Sequence, residues 1–409
     1  MRILTIGLSP YLLTSRSRLN AEILKHYNLM GIPVASLVWG HDRTYHVPEE
    51  VKGQSRFFYK FKYKNIDRRI PLTLFEKDKD QTVCIYETIK KLKPDIVITI
   101  GDYTEFSCMK AVKMYTEDFK WIFMLCNGTQ PINEYAYPTF EDPDAIVCSN
   151  PKSLPEIREI YPKDAIVSQI IGVDRGIYYD RKIDRKPGLR VMSCGKKTSS
   201  DNVPMLMETF ADMAKDIDGW KTLYLHSNIN DSRDHNLDLL KSRFDPDDKL
   251  ISFPDRFVSI TDGYSDEEFA EELSLSDIFV SIPITSSTSM SVLEAMACGC
   301  YPLMSSCGSN LYLAEELSDY LGNNFRTEDF IVQTIKVMVP GEHYVNVPMP
   351  DDLKEKMLNA QRNLRNNKGL REKFEEFTKK YNRDTFFETI DETIEKVLVS
   401  NPVVCLETV

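Results

Sequence analysis

The chain has 409 residues, of which 42 % are apolar and 28 % charged. That balance excludes disordered and fibrous classes, and the length suits two domains of about 200 residues each. No run of 18 apolar residues occurs, so no transmembrane helix is expected, and a formal net charge of −11 argues against a general nucleic-acid binder.

The start, MRILTIGLSP, lacks the basic, apolar and cleavage regions of a signal peptide. Nine cysteines without framework spacing fit a reducing compartment, so a cytoplasmic location is expected. Residues 3–8 read as a buried strand. Leu19, Ile23 and Tyr27 recur at helical spacing, and Gly31 stops that helix. A second strand follows at 34–38. Charge is uneven along the chain: residues 1–70 hold 12 Lys/Arg and 5 Asp/Glu, a balance of +7 that leaves −18 for the remainder. Within that segment, residues 56–69 read RFFYKFKYKNIDRR. Lys60, Lys62 and Lys64 alternate with Tyr59, Phe61 and Tyr63, which on a strand puts cations on one face and aromatics on the other. Such a face is either a solvated lysine edge that resists aggregation or an acceptor surface for an anionic partner. Nucleic acid and an acidic membrane surface are both open as that partner.

Val83, Tyr86 and Ile89 mark a helix ended by Pro94. Strands follow at 95–100, 121–126, 145–148 and 166–171. Apolar strands alternating with amphipathic helices imply parallel sheets covered on both faces. The short polar stretch DRKPG at 184–188 reads as a linker. A second series places strands at 190–194, 222–226, 250–253, 277–282 and 301–305. Ser265-Asp-Glu-Glu268 is a capping box that opens one of its helices. Beyond about residue 350 the chain reads as mainly helical, ending in a helix at 385–398 with Phe386, Ile390 and Ile394 on one face. There is no G-x-G-x-x-G, Walker loop or H-E-x-x-H motif, and the six His are scattered. Cys298-Gly-Cys300 has no matching pair. Asp142-Pro-Asp144 and Asp245-Pro-Asp247 match D-x-D but read as proline turns, so no metal site is assigned.

The most informative stretch is 277–306, DIFVSIPITSSTSMSVLEAMACGCYPLMSS. A buried strand ends at Pro283, a Ser/Thr-rich loop comes next, and a helix runs from about Met290 to Cys298. A loop entering a helix presents N–H groups and a positive dipole end to phosphate or sugar oxygens. Glu294 lies one turn inside that helix. Its carboxylate is able to accept two ribose hydroxyls; equally, it reads as a helix-surface Glu favoured by the dipole.

SVLEAMACGCYPLMSS resembles the LLEAMA-C-G-x-PV signature of family 4 glycosyltransferases, retaining enzymes with the two-Rossmann-domain GT-B fold. DAIVCSN (144–150), IIGVDRGIYY (170–179), LRVMSCGKKTSSDNVPMLMETF (189–210) and YSDEEFAEELSLSDIFVSIP (264–283) resemble other family segments in the right order. The resemblance covers about residues 140–310. It implies an acceptor domain at 1–185, a nucleotide-sugar donor domain at 189–380, and a segment at 381–409 whose helix returns to the first domain. Glu294 matches the second Glu of the family's E-x7-E motif, which binds the donor ribose. Ser289, Met290 and Ser291 match the loop facing the donor sugar and phosphates. Lys196, with Lys197 beside it, falls where the family has a basic residue facing the diphosphate. Three positions depart from the pattern. Ser286 stands where the first Glu belongs. The second basic residue of the phosphate loop falls near Asp201–Asn202. Cys126 and Asn127 stand where the family often has His.

Lys196, Asn127 and Ser286 are thus the candidate catalytic positions. The implied function is retaining transfer of a sugar from a nucleotide-diphosphate donor to a hydroxyl acceptor, a glycan, lipid or other small molecule. No cofactor is required beyond the nucleotide-sugar substrate, and neither Mg²⁺ nor Mn²⁺ is expected. The alternatives are a DNA-modifying glycosyltransferase of the phage type and a catalytically silent nucleotide-sugar-binding protein.

Overall fold

The computed structural model describes residues 1–12, 14–39, 56–76, 78–116, 118–127, 131–161, 163, 165–195, 201–227, 229, 235–256, 263–284, 288–339 and 343–399. Among them the strands form three sheets. The first holds β1 (Ile3–Leu8), β2 (Val34–Trp39), β3 (Arg56–Tyr63), β4 (Ile66–Leu74), β5 (Ile96–Gly101), β6 (Lys120–Leu125), β7 (Ala145–Cys148) and β8 (Ile166–Ser168). Their order is β3-β4-β2-β1-β5-β6-β7-β8. Every neighbour pairs parallel except β3 with β4. The second sheet holds β9 (Leu189–Cys194), β10 (Lys221–His226), β11 (Ile251–Ser252), β12 (Ile278–Ser281), β13 (Tyr301–Ser305) and β14 (Ile331–Val332), all parallel, in the order β11-β10-β9-β12-β13-β14. The third is a hairpin of β15 (Thr334–Val339) and β16 (His343–Pro348).

Parallel strands need crossover helices. In the first unit these are α1 (Ser15–Leu29), α2 (Gln81–Leu92), α3 (Met109–Tyr115) and α4 (Leu154–Ile160). In the second they are α5 (Val203–Met213), α6 (Leu237–Phe244), α7 (Asp266–Ser274), α8 (Met290–Ala297) and α9 (Ser309–Leu321). Then come α10 (Pro350–Asn366), α11 (Leu370–Phe377) and α12 (Arg383–Val399). Each unit has its own core: Ile98, Ile122 and Val147 lie in the first, Val191, Val280 and Leu303 in the second. Among the described residues no helix is long and apolar enough to cross a membrane.

Two local devices hold the helices that meet between the units. Thr5 Oγ1 on β1 donates to Asn20 Oδ1 (2.8 Å) and lies within hydrogen-bond distance of the Ser36 hydroxyl (2.7 Å), while Asn20 Nδ2 donates to the Leu8 carbonyl (2.9 Å). These buried groups fix α1 against β1 and β2, because a polar group out of contact with water has to keep its partner. The second device is the place where the chain re-crosses. Val173 N–H donates to the Tyr381 carbonyl (2.8 Å), and Arg383 N–H donates to the Val173 carbonyl (3.1 Å). Directly after this bridge α12 lays Phe386, Phe387, Ile390, Ile394 and Val397 into the first unit's core.

Sequence reading missed β4, β14 and the β15–β16 hairpin. Strand β4 reads IDRRIPLTL, with three charges and a proline, so it carries no apolar run. It joins β2 only through Leu72–Leu74.

Gly172 sits beside the re-crossing, where an added Cβ would fall 2.1 Å from the Asn382 carbonyl oxygen. Backbone on both sides leaves no soft neighbour to yield. Gly172→Ala should therefore lower unfolding stability by about 1–3 kcal/mol, read as a reduced midpoint in urea titration. An unchanged midpoint would show that the two crossings separate freely.

Candidate functional site

The helix singled out by sequence, α8, starts at Ser289, a residue in the left-handed region (φ 47°). No side chain caps this start. Instead Ser289 Oγ turns toward α9, bonding Ser309 Oγ (2.7 Å) and donating to Asn310 Oδ1 (2.5 Å). Met290 is buried and packs into the first unit's core rather than its own. Ser291 hydrogen-bonds the Cys194 thiol at the end of β9, and burial pushes that thiol up to about 12. The three loop residues therefore meet three different elements.

Glu294 is 2 % exposed, so it is not a glutamate of the helix surface. Its Oε1 accepts from Arg18 Nη2 at 2.8 Å. Arg18 belongs to α1 of the first unit, so the pair spans the junction. The same guanidinium donates to Tyr178 Oη (2.9 Å) and lies 3.2 Å from Asp266 Oδ1, and Tyr178 Oη donates to Asp266 Oδ1 (3.0 Å). Asp266 is the first residue of α7, presented by the Ser265–Glu268 capping box. Burial raises the Glu294 pKa, and Arg18 opposes that rise. For Arg18, burial pulls its pKa down, but Glu294, Tyr178 and Asp266 outweigh it and raise it. Among the described residues Glu294 Oε2 is buried with no hydrogen-bond partner.

Arg16 lies near the start of the same helix, bonding Glu105 Oε2 at 2.5 Å; that oxygen also accepts from Asp102 N–H (2.8 Å). Burial foremost, then Glu105, raises the Asp102 pKa. Asn127 is buried just beyond the end of β6, and its carbonyl accepts from Asn150 Nδ2 at 3.5 Å. Sequence reading passed over Arg16, Arg18, Tyr178 and Asp266. A signal was there for the first two. Two arginines in the opening turns of a helix, with no acid in its first turn, oppose the helix dipole and call for anionic partners. Lys196, Lys197 and Ser286 lie outside the described residues.

The lysine segment needs a correction. Lys60 and Lys62 are exposed and share the outer face of β3, opposite the buried Phe57 and Tyr59. Lys64 leaves that face: with Asn65 it forms the turn, at φ 46° and 64°. Strand β4 runs parallel to β2 with Leu72 opposite Ser36, so the turn projects from the end of the sheet opposite the N-terminus of α1. Lys62 and Lys64 therefore stand far from Glu294.

Both D-x-D pairs have structural work. Trp121 N–H, Lys113 and Lys120 hold the Asp144 pKa below its usual value against burial. Asp245 accepts from the backbone N–H groups of Lys249 (2.9 Å), Leu250 (2.8 Å) and Ile251 (2.8 Å). Among the described residues no group of three or more His, Cys, Asp or Glu gathers to hold a metal. Cys298 and Cys300 are buried, and Cys300 donates to the Leu273 carbonyl. A cavity of about 890 Å³ opens between α5, α6 and α10. None of the predicted site residues among the described ones lines it.

No family model and no curated protein matches the chain. Solved structures do, along their full length. The sucrose-phosphate synthase of Thermosynechococcus elongatus superposes with a TM-score of 0.70 at 11 % identity, covering 98 % of this chain and 100 % of that one. A glycosyltransferase from Rickettsia africae gives 0.65 at 14 % identity, with the same coverage. The trehalose-6-phosphate protein from E. coli, bound with UDP-2-fluoro glucose, gives 0.66 at 11 %, again covering 98 % and 100 %. The chain has the GT-B fold. With no family model matching, the resemblance to family 4 rests on the quoted sequence segments alone.

The contacts of Asp245 give a test of its structural role. Asp245→Ala strips an acceptor from three backbone N–H groups. It should cost about 2–4 kcal/mol of unfolding stability, measured by urea titration, whether or not EDTA is present. A fully stable variant would make Asp245 a metal candidate again.

Proposed function

We propose that the protein is a retaining glycosyltransferase that moves a sugar from a nucleotide-diphosphate donor to a hydroxyl acceptor. The observation that carries this is Glu294: a carboxylate sealed at the junction of a GT-B fold, one oxygen held by Arg18 and the other without a protein partner among the described residues. A buried acceptor atom is tolerated where a ligand donor completes it. Two vicinal ribose hydroxyls are such donors.

In this reading the second unit binds the donor. Glu294 takes the ribose, the Ser289–Met290–Ser291 start of α8 lies along the sugar and phosphates, and Lys196 and Lys197 meet the diphosphate. The first unit presents the acceptor, and Asn127 beyond β6 and Ser286, shortly before α8 in sequence, are the remaining candidates near the transferred sugar. The acceptor hydroxyl forms its bond to the anomeric carbon as the bond to the diphosphate breaks. The leaving group takes the electron pair, and the hydroxyl proton goes with it to the diphosphate or to water. Lysine and helix N–H groups stabilise the charge that develops there. Turnover should accordingly persist in excess EDTA, and loss that Mg²⁺ or Mn²⁺ restores would overturn this assignment of charge.

The direct test is Glu294→Ala. Losing charge-assisted bonds to ribose should weaken binding of the preferred nucleoside diphosphate by about 2–4 kcal/mol in calorimetric titration, with the thermal transition still cooperative. Unchanged affinity in a folded variant would remove Glu294 from the donor site.

A further inference from the structure

Among the described residues, the cation that meets Glu294 is Arg18. Among the described residues, the titratable groups around it include Arg18 on α1, Asp266 on α7, Tyr178 in the segment after the first unit, Cys194 at the end of β9, and Cys298 just after α8. Burial drives the Tyr178, Cys194 and Cys298 pKa values upward, which keeps all three neutral at physiological pH. Asp266 is a second anion. Among the described residues, the Arg18 guanidinium therefore faces two carboxylates, Glu294 and Asp266.

The orientation is equally one-sided. Arg18 engages Oε1 and leaves Oε2. Its direction is set from three sides, by Glu294, Tyr178 and Asp266. Its backbone is set by the Thr5–Asn20–Ser36 network under α1.

We propose that Arg18 is the positioning residue of the donor site: it aims the Glu294 carboxylate at the nucleoside diol. This deepens the function proposed above and rests on it. Arg18 touches no substrate in this scheme; it acts through Glu294. Because the cation comes from one unit and the carboxylate from the other, the nucleoside is gripped well only when the two units stand as they do here. Donor affinity thereby reports on domain arrangement, a coupling that a carboxylate paired within its own domain would lack.

Desolvation alone favours the protonated acid, and Arg18 is the group that opposes it. Without Arg18 the carboxyl stays protonated to higher pH, so nucleotide binding should be impaired most at low pH and recover as pH rises. The experiment is calorimetric titration of UDP, GDP and ADP into the full chain and its Arg18→Met, Arg18→Lys and Glu294→Ala variants, at pH 6.5 and 8.5. For the preferred nucleotide, Arg18→Met should bind about tenfold more weakly at pH 6.5. The gap should narrow at pH 8.5, and Arg18→Lys should stay within about threefold of the parent at both, because it keeps a cation beside Glu294. If Arg18→Met does not fold, Arg18→Gln carries the same comparison. A folded Arg18→Met that matches the parent at both pH values overturns the proposal. So does an Arg18→Lys variant as impaired as Arg18→Met with no pH dependence, which would mark packing rather than charge. If Glu294→Ala binds as the parent does, the donor-site reading itself fails. If only Glu294→Ala weakens binding, the donor site stands and Arg18 loses its role.

Discussion

A carboxylate taken out of water must find a counter-charge or give up its own. In this chain the carboxylate belongs to one sheet unit and its counter-charge to the other. Replacing one member of such a buried pair costs about 3–5 kcal/mol, because the survivor is left uncompensated. The pair therefore constrains everything that fixes α1 relative to α8. Three features do so. The buried Thr5–Asn20–Ser36 network seats α1, Ser289 ties the start of α8 to α9, and the bridge between Val173 and Asn382 locks the two crossings together. Helix α12 then closes the first core, and its Asp391 accepts from Tyr27 Oη on α1 (2.9 Å).

The same constraint explains why the opening turns of α1 look wrong for a helix. Thr14 caps it conventionally, but Arg16 and Arg18 stand where acids are favoured. Each arginine is committed to an acid, Arg16 to Glu105 of its own unit and Arg18 to Glu294 across the junction. The local electrostatic cost is about 0.3–1 kcal/mol per charge, small against the cost of an uncompensated carboxylate. A tertiary requirement has overridden a local preference.

Much of this architecture was legible before any coordinates. The strands at 145–148 and 301–305 are observed with those same limits, and the Ser265–Glu268 capping box is present with both of its bonds. Those elements carry strong local signals: apolar runs bounded by turns and a cap with fixed spacing. Strand β4 was invisible because it pairs with β2 through few residues and wears charges along the rest. Lys64 was misplaced because alternation says nothing about where a hairpin turns, and Lys and Asn adopting positive φ is decided by closure of the β3–β4 pair. For the site, the sequence pointed to Glu294 but left ribose acceptor and surface residue equally open. Burial removes the surface option. The arginines at the start of α1 call for anionic partners, but which partner Arg18 takes was not legible: it lies 276 positions along the chain, and no local pattern encodes a contact between units.

The most direct test of the account is a crystal structure of the chain with its preferred nucleoside diphosphate. The ribose hydroxyls should lie within hydrogen-bond distance of Glu294 Oε2, with Arg18 still on Oε1. A nucleotide bound elsewhere, or a Glu294 whose second oxygen is completed by a protein group while the ribose points away, would contradict it.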